Sequence, residues 1–141
     1  NLMIEIIPDL WICKVKDLKK IEDNVHIINC SDKLKFIGKF KEYKDELKQN
    51  MLKYEIIQLY KFVIITVDEI DKLLIDNKNI IVSCSTGLQF SPLVIIAYLI
   101  KYGKLSKVES IELFKTKKET IVEDELFFHN ILNKIESNTF I

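Results

Sequence analysis

The sequence predicts an α/β fold in which a sheet of about five strands is packed by helices on both faces. Three observations carry this expectation. Short β-branched runs of strand length fall at residues 3–7, 10–13, 25–29, 54–59 and 79–83. Helical patterns at 16–22, 36–50 and 62–76 lie between them. From residue 84 onward the chain reads as helix alone. Strands joined by crossover helices and followed by a helical bundle bury their apolar faces best as a sheet covered on two sides.

Each element has its own signature. Ile80-Ile81-Val82 is continuously apolar, as a central strand buried on both faces must be. The 36–50 stretch is strongly charged and reads as a mostly solvated helix. Ser91-Pro92 reads as a cap followed by proline at the first helical position, and the apolar run that follows reaches Gly103, a candidate C′ residue. Ser106 and Glu109 have capping-box spacing and open a helix through about residue 115. A last amphipathic helix over about 123–136 places Leu126, Phe127, Ile131 and Ile135 on its buried side.

The 141 residues, 48% of them apolar, suit one domain spanning 1–141, with no repeat or Pro/Gly-rich linker to divide it. Twenty-one acidic residues balance 21 basic ones, so no global field draws the chain to nucleic acid or to an anionic membrane. The longest apolar run, 93–100, is far shorter than the ~18 residues of a membrane span, and no secretory h-region opens the sequence. Cys13, Cys30 and Cys84 are odd in number, widely spaced and without a CxxC pair, which points to reduced thiols in a cytoplasmic or nuclear setting. No His/Cys cluster has metal-ligand spacing, and neither a metal nor another cofactor is expected. All the basic residues are lysine. Heavy use of Ile, Lys and Asn fits an AT-rich coding bias, but the consequence is chemical: the protein has no planar, bidentate phosphate fork.

The segment richest in chemistry is Ile80-Ile-Val-Ser-Cys84-Ser-Thr-Gly-Leu-Gln-Phe-Ser91-Pro92. A strand ends in a cysteine, a loop with one glycine follows, and a helix begins. Successive backbone N–H groups and a helix N-terminus then converge on one point, an anion cradle with a thiol at its floor. Such partial charges favour thiolate over thiol.

This segment resembles the phosphate-binding loop of the dual-specificity subgroup of protein tyrosine phosphatases, whose pattern is His-Cys-x-x-Gly-x-x-Arg-Ser. The likeness runs along nearly the whole chain. Ile7-Pro-Asp-Leu-Trp11 is similar to the family's opening hairpin, His26-Ile-Ile-Asn-Cys-Ser31 to its next strand, and Tyr54-x-x-Ile57 to the strand leading into the acid loop. Leu93-Val-Ile-Ile-Ala-Tyr-Leu-Ile100 matches the helix after the loop, and Leu105-Ser-Lys-Val-Glu109 the helix after that. The resemblance implies a central mixed, mainly parallel sheet flanked by helices. It also implies Cys84 at the nucleophile position, a phosphate loop of Ser85, Thr86, Gly87, Leu88, Gln89 and Phe90, and a Ser91 hydroxyl that helps the thiolate leave.

Two departures bear on activity. Phe90 stands at the family's arginine position and Ser83 at its leading histidine. In the family the arginine grips the phosphoryl oxygens; a comparable arginine in other phosphoryl-transfer enzymes is worth ~10³–10⁵ in rate. The family's general acid, an aspartate about seven residues beyond the tyrosine aligned with Tyr54, has no counterpart. The neighbourhood reads Leu59-Tyr60-Lys61-Phe62, with no carboxylate between Glu55 and Asp68. Losing a general acid costs ~10²–10⁴ in rate. Tyr60 and Lys61 are poor substitutes, and Asp68 and Asp71 fit an exposed helix face.

The remaining residues read as structural: His26 as a core or edge histidine, His129 as a helix residue with no partner in the sequence, Cys13 and Cys30 as strand core. The Lys115–Lys118 cluster stands where the family often has basic residues near the pocket rim. The expectation is therefore a catalytically impaired dual-specificity phosphatase-like domain, a pseudophosphatase acting in signalling through a protein or phosphoprotein partner. Two other readings remain open. One is an active, low-rate cysteine-dependent tyrosine or serine/threonine phosphatase that uses a lysine or the loop amides for charge. The other is a thiol redox role for Cys84. Nothing in the sequence sets an oligomeric state.

Overall fold

A computed structural model describes residues 3–20, 25–30, 53–84, 90–118 and 126–140. Strands β1 (Met3–Ile7) and β2 (Leu10–Lys14) form an antiparallel hairpin with a register shift between Glu5 and Ile7. Asp9 turns it at a φ of 71°, a left-handed conformation that a short polar side chain tolerates, and its N–H donates to Glu5 Oε2 at 3.0 Å. The Asp9 carbonyl accepts the Ile80 N–H at 2.8 Å, which ties the hairpin to the middle of the sheet.

That middle is β4 (Asn79–Cys84), paired in parallel with β2 on one side and with β3 (Val25–Asn29) on the other, so the order is β1-β2-β4-β3. The sheet is mixed and mainly parallel, as expected. Ile80, Ile81 and Val82 are at most 2% exposed, which confirms the central strand read from their unbroken apolar run. A 3-10 segment, Val15–Lys20, stands where a helix over 16–22 was expected. The helix expected at 36–50 lies outside the described residues.

Four α-helices are described: α1 (Lys53–Ile75), α2 (Phe90–Lys101), α3 (Lys107–Lys117) and α4 (Leu126–Thr139). The first corrects the sequence reading. Residues 54–59, expected as a strand, are the opening turns of α1, and the sheet has four described strands, not five. The reason is periodicity. Buried Leu59, Phe62, Val63, Thr66, Val67 and Ile70 repeat at helical spacing, and Ile56, three residues before Leu59, packs against the same core. The β-branched composition of a six-residue window is the weaker signal.

Helix α2 is apolar around nearly its whole circumference and packs against α1, α3, α4 and β4. The capping box of α3 is formed as expected: Glu109 N–H donates to Ser106 Oγ and Ser106 N–H to Glu109 Oε1, both at 3.0 Å. On α4, Ile131 and Ile135 are buried together with Phe128 and Leu132. The side chains of Leu126 and Phe127 lie outside the described set.

Gly103 follows α2 as predicted, but for a different reason. The left-handed residue is Lys104, at φ 59°, whereas Gly103 is required for space: a Cβ there would lie 2.4 Å from the Leu99 carbonyl oxygen. Gly103→Ala is expected to lower stability by more than ~1 kcal/mol, whereas Lys104→Gly relieves a left-handed side chain and raises it by up to ~1 kcal/mol, both read by thermal unfolding.

Near this end of α2, Asp68 from α1 accepts hydrogen bonds from Lys101 Nζ at 2.7 Å and Tyr102 Oη at 2.6 Å. Burial opposes ionisation of Asp68, but these two hydrogen bonds and the Lys101 charge outweigh it and hold the carboxyl below its ordinary 3.8. The Tyr102 phenol is pushed up to about 12, chiefly by the same hydrogen bond. A carboxyl whose pKa is depressed by folding adds stability above its unfolded pKa and loses it as pH falls. Asp68→Asn is therefore expected to destabilise the fold by about 1 kcal/mol at neutral pH, a figure reduced for the partial exposure of the pair. The difference from the parent should shrink as pH falls below about 3.8, which unfolding across a pH series measures.

Candidate functional site

Cys84 is the last residue of the central strand and is 1% exposed. Helix α2 begins at Phe90, two residues before the Pro92 expected as its first helical position, so Ser91 lies inside the first turn instead of capping it. Its hydroxyl, fully buried, is 3.1 Å from Cys84 Sγ. In the thiolate form of Cys84 the Ser91 O–H is the donor, a charge-assisted bond that holds the sulfur at the mouth of α2. No acidic residue occupies the first turn of α2, so the partial positive charge of the helix end stands unopposed within that turn. Phe90 is half-buried and packs against the hydrophobic core. Ser85, Thr86, Gly87, Leu88 and Gln89 lie outside the described residues.

The carboxylates considered as acids sit elsewhere. Asp68 is bonded to Lys101 and Tyr102, whereas Cys84 is bonded to Ser91. Ten residues of α2 separate those anchor points, about 15 Å along the helix axis. Asp71 belongs to the Asp68 end, where its charge helps to raise the phenols of Tyr98 and Tyr102. Tyr60 is engaged by α4: its hydroxyl accepts from Asn138 Nδ2 at 3.1 Å, and Lys134 Nζ lies 4.5 Å from its ring centroid. Lys61 is exposed on α1.

Two lysines bear on the electrostatics at this edge of the sheet. Lys14, the last residue of β2, is the register partner of Cys84 across the parallel pair. Lys118, just past the end of α3, donates its N–H to the Phe114 carbonyl at 2.9 Å and stands within charge range of both Lys14 and Cys84. Burial holds the Lys118 ammonium below its ordinary value, Lys14 pushes it the same way, and Cys84 opposes both. The Lys115–Lys118 cluster was legible in the sequence, whereas Lys14 was not, because its position depends on strand register.

The other thiols have structural places. Burial, followed by the charges of Asp17 and Cys84, pushes the Cys13 thiol up to about 11, so it remains protonated at neutral pH. Cys30 is fully buried just after β3. His26 lies on the edge strand β3 with Nε2 3.2 Å from Glu69 Oε1, and His129 Nδ1 is 3.4 Å from Lys107 Nζ, a partner the sequence did not reveal. Among the described residues no group of His, Cys, Asp or Glu side chains could hold a metal ion, and no helix is long and apolar enough to cross a membrane.

A strand-end thiol is thus bonded to a hydroxyl in the first turn of the following helix, with Lys118 within charge range of it. Comparison with known proteins gives that arrangement a family. The profile of the dual specificity phosphatase catalytic domain matches residues 10–137. No curated protein sequence matches the chain. Solved structures are similar in fold. A human DUSP28 variant gives a TM-score of 0.70 at 14% identity, with 98% of this chain and 96% of that one covered. A leucine rich repeat and phosphatase domain containing protein from Entamoeba histolytica gives 0.69 at 16%, covering 97% and 92%. The human tyrosine phosphatase-like serine/threonine/tyrosine-interacting protein gives 0.69 at 16%, covering 99% and 98%. The chain belongs to the dual specificity phosphatase catalytic-domain family.

Proposed function

We propose that the chain is a pseudophosphatase: one dual-specificity phosphatase-like domain over residues 1–141, catalytically impaired and acting in signalling through a protein or phosphoprotein partner. The observation that carries this reading is Phe90. It opens α2 at the position where the family pattern has arginine, its half-buried ring packs against the core, and the chain contains no arginine elsewhere. A lysine can contribute charge, but not the planar pair of donors that matches an equatorial pair of phosphoryl oxygens. Transition-state stabilisation falls further than ground-state binding, because the fork acts on the geometry reached during transfer. The engagement of Asp68 at the far end of α2, and of Tyr60 by α4, supports the absence of a general acid among the described residues. Three free, buried cysteines fit a reducing cytoplasmic or nuclear setting.

The retained Cys84–Ser91 pair favours a second reading, a low-rate cysteine-dependent phosphatase. Hydrolysis of an activated aryl phosphate separates the two, because a good leaving group makes little demand on a general acid. Parent and Cys84→Ser are expected to be equal to each other and to buffer. Phe90→Arg is expected to raise phosphate affinity by at least about tenfold while phosphotyrosine turnover stays low, because the acid is still missing. Parent turnover that vanishes in Cys84→Ser would establish the second reading in place of the first.

A further inference from the structure

We propose that the outer face of α1 is a self-association surface, on which a second copy of this chain packs antiparallel about a two-fold axis through Ile65. This face is separate from the Cys84 site, and the proposal does not rest on the reading of that site. Leu59, Phe62, Val63, Thr66, Val67 and Ile70 turn one side of α1 into the core. The opposite side carries Ile65, which is 68% exposed although it lies in the middle of the helix. Lys61 and Lys72 are exposed beside it, and Gln58 and Glu69 are half-buried. Steps of three and four residues put Gln58, Lys61, Ile65, Glu69 and Lys72 on one stripe.

A single exposed isoleucine is ordinary. The order of charge around this one is what selects a partner. Lys61 lies four residues before Ile65 and Glu69 four residues after it, about 6 Å along the axis either way and rotated by equal amounts in opposite senses. A two-fold axis through Ile65, perpendicular to the helix, exchanges those two places. Each Lys61 then meets the partner's Glu69, each Lys72 meets the partner's Gln58, and Ile65 packs on its own copy. Parallel pairing would instead set lysine against lysine and glutamate against glutamate, so the charge pattern fixes the antiparallel direction. Glu69 Oε1 keeps its 3.2 Å contact with His26 Nε2, because an ionised carboxylate has about four lone-pair directions and accepts from several donors at once. The stripe from Gln58 to Lys72 is about 21 Å long. One helix seam of that length, with a single apolar pair at its centre, falls below the ~1,200 Å² of a stable interface, so the dimer is weak and reversible.

The test is sedimentation velocity of the full chain from about 10 μM to about 1 mM, the range in which so small an interface associates. The variants are Ile65→Lys, Lys61→Glu and the charge swap Lys61→Glu/Glu69→Lys. Val108→Lys, at a 60% exposed apolar position on α3, controls for loss of surface hydrophobicity. The parent is expected to sediment faster as concentration rises, and less so as salt rises. Ile65→Lys and Lys61→Glu should each weaken association at least about tenfold, the swap should return to within about threefold of the parent, and the control should match the parent. Ile65 and Lys61 are exposed, so their replacement leaves the core intact. A parent that stays monomeric throughout overturns the proposal, and so does association unchanged in Ile65→Lys. Association lost in Lys61→Glu and not recovered by the swap overturns the antiparallel pairing about Ile65.

Discussion

Everything at the site depends on the placement of β4. The strand is paired in parallel on both sides and covered on both faces, so its backbone has no freedom to slip without breaking two ladders and moving a buried apolar set. That constraint puts Cys84 at the carboxyl edge of the sheet. The almost entirely buried α2 brings its first turn back to the same point. The 3.1 Å approach of Ser91 to the thiol is the local result of these two constraints. Because the core fixes both elements, the site geometry does not depend on which side chains line it.

What such a geometry can do depends on the side chains it carries. A strand-end thiol beside a helix N-terminus attracts anions through dipoles that belong to the backbone and do not depend on residue type. Transfer chemistry asks for more: a fork on the equatorial oxygens and a proton for the leaving group. Phe90, which the proposed reading puts at the position of the fork, is a partly buried ring packed against the core, and Asp68 is bonded at the far end of α2. On the proposed reading, what the chain keeps serves binding and what it lacks acts chiefly in the transition state.

How much of this was legible in the sequence follows from the range of each interaction. The central strand, the capping box of Ser106 and Glu109, and the Cys84–Ser91 spacing are local patterns and could be read directly. Residues 54–59 were misread because a short β-branched window carries less information than a helical period sustained from Ile56 to Ile70. Gly103 was located correctly, yet the close approach to Leu99 that requires it depends on the fold of the helix end. Lys14 could not be found at all. Its place opposite Cys84 comes from register with a strand some seventy positions away, and register is a property of the assembled sheet.

The most direct measurement asks whether Cys84 ever accepts a phosphoryl group. The protein would be mixed with a stoichiometric activated aryl phosphate, quenched in acid at short times and weighed intact, with Cys84→Ser treated in parallel. The account predicts that parent and variant give the same mass spectrum, with no phosphoryl adduct at any time. An adduct on the parent that is absent from Cys84→Ser would show that the thiol performs the transfer, and would contradict the claim that this site binds without turning over.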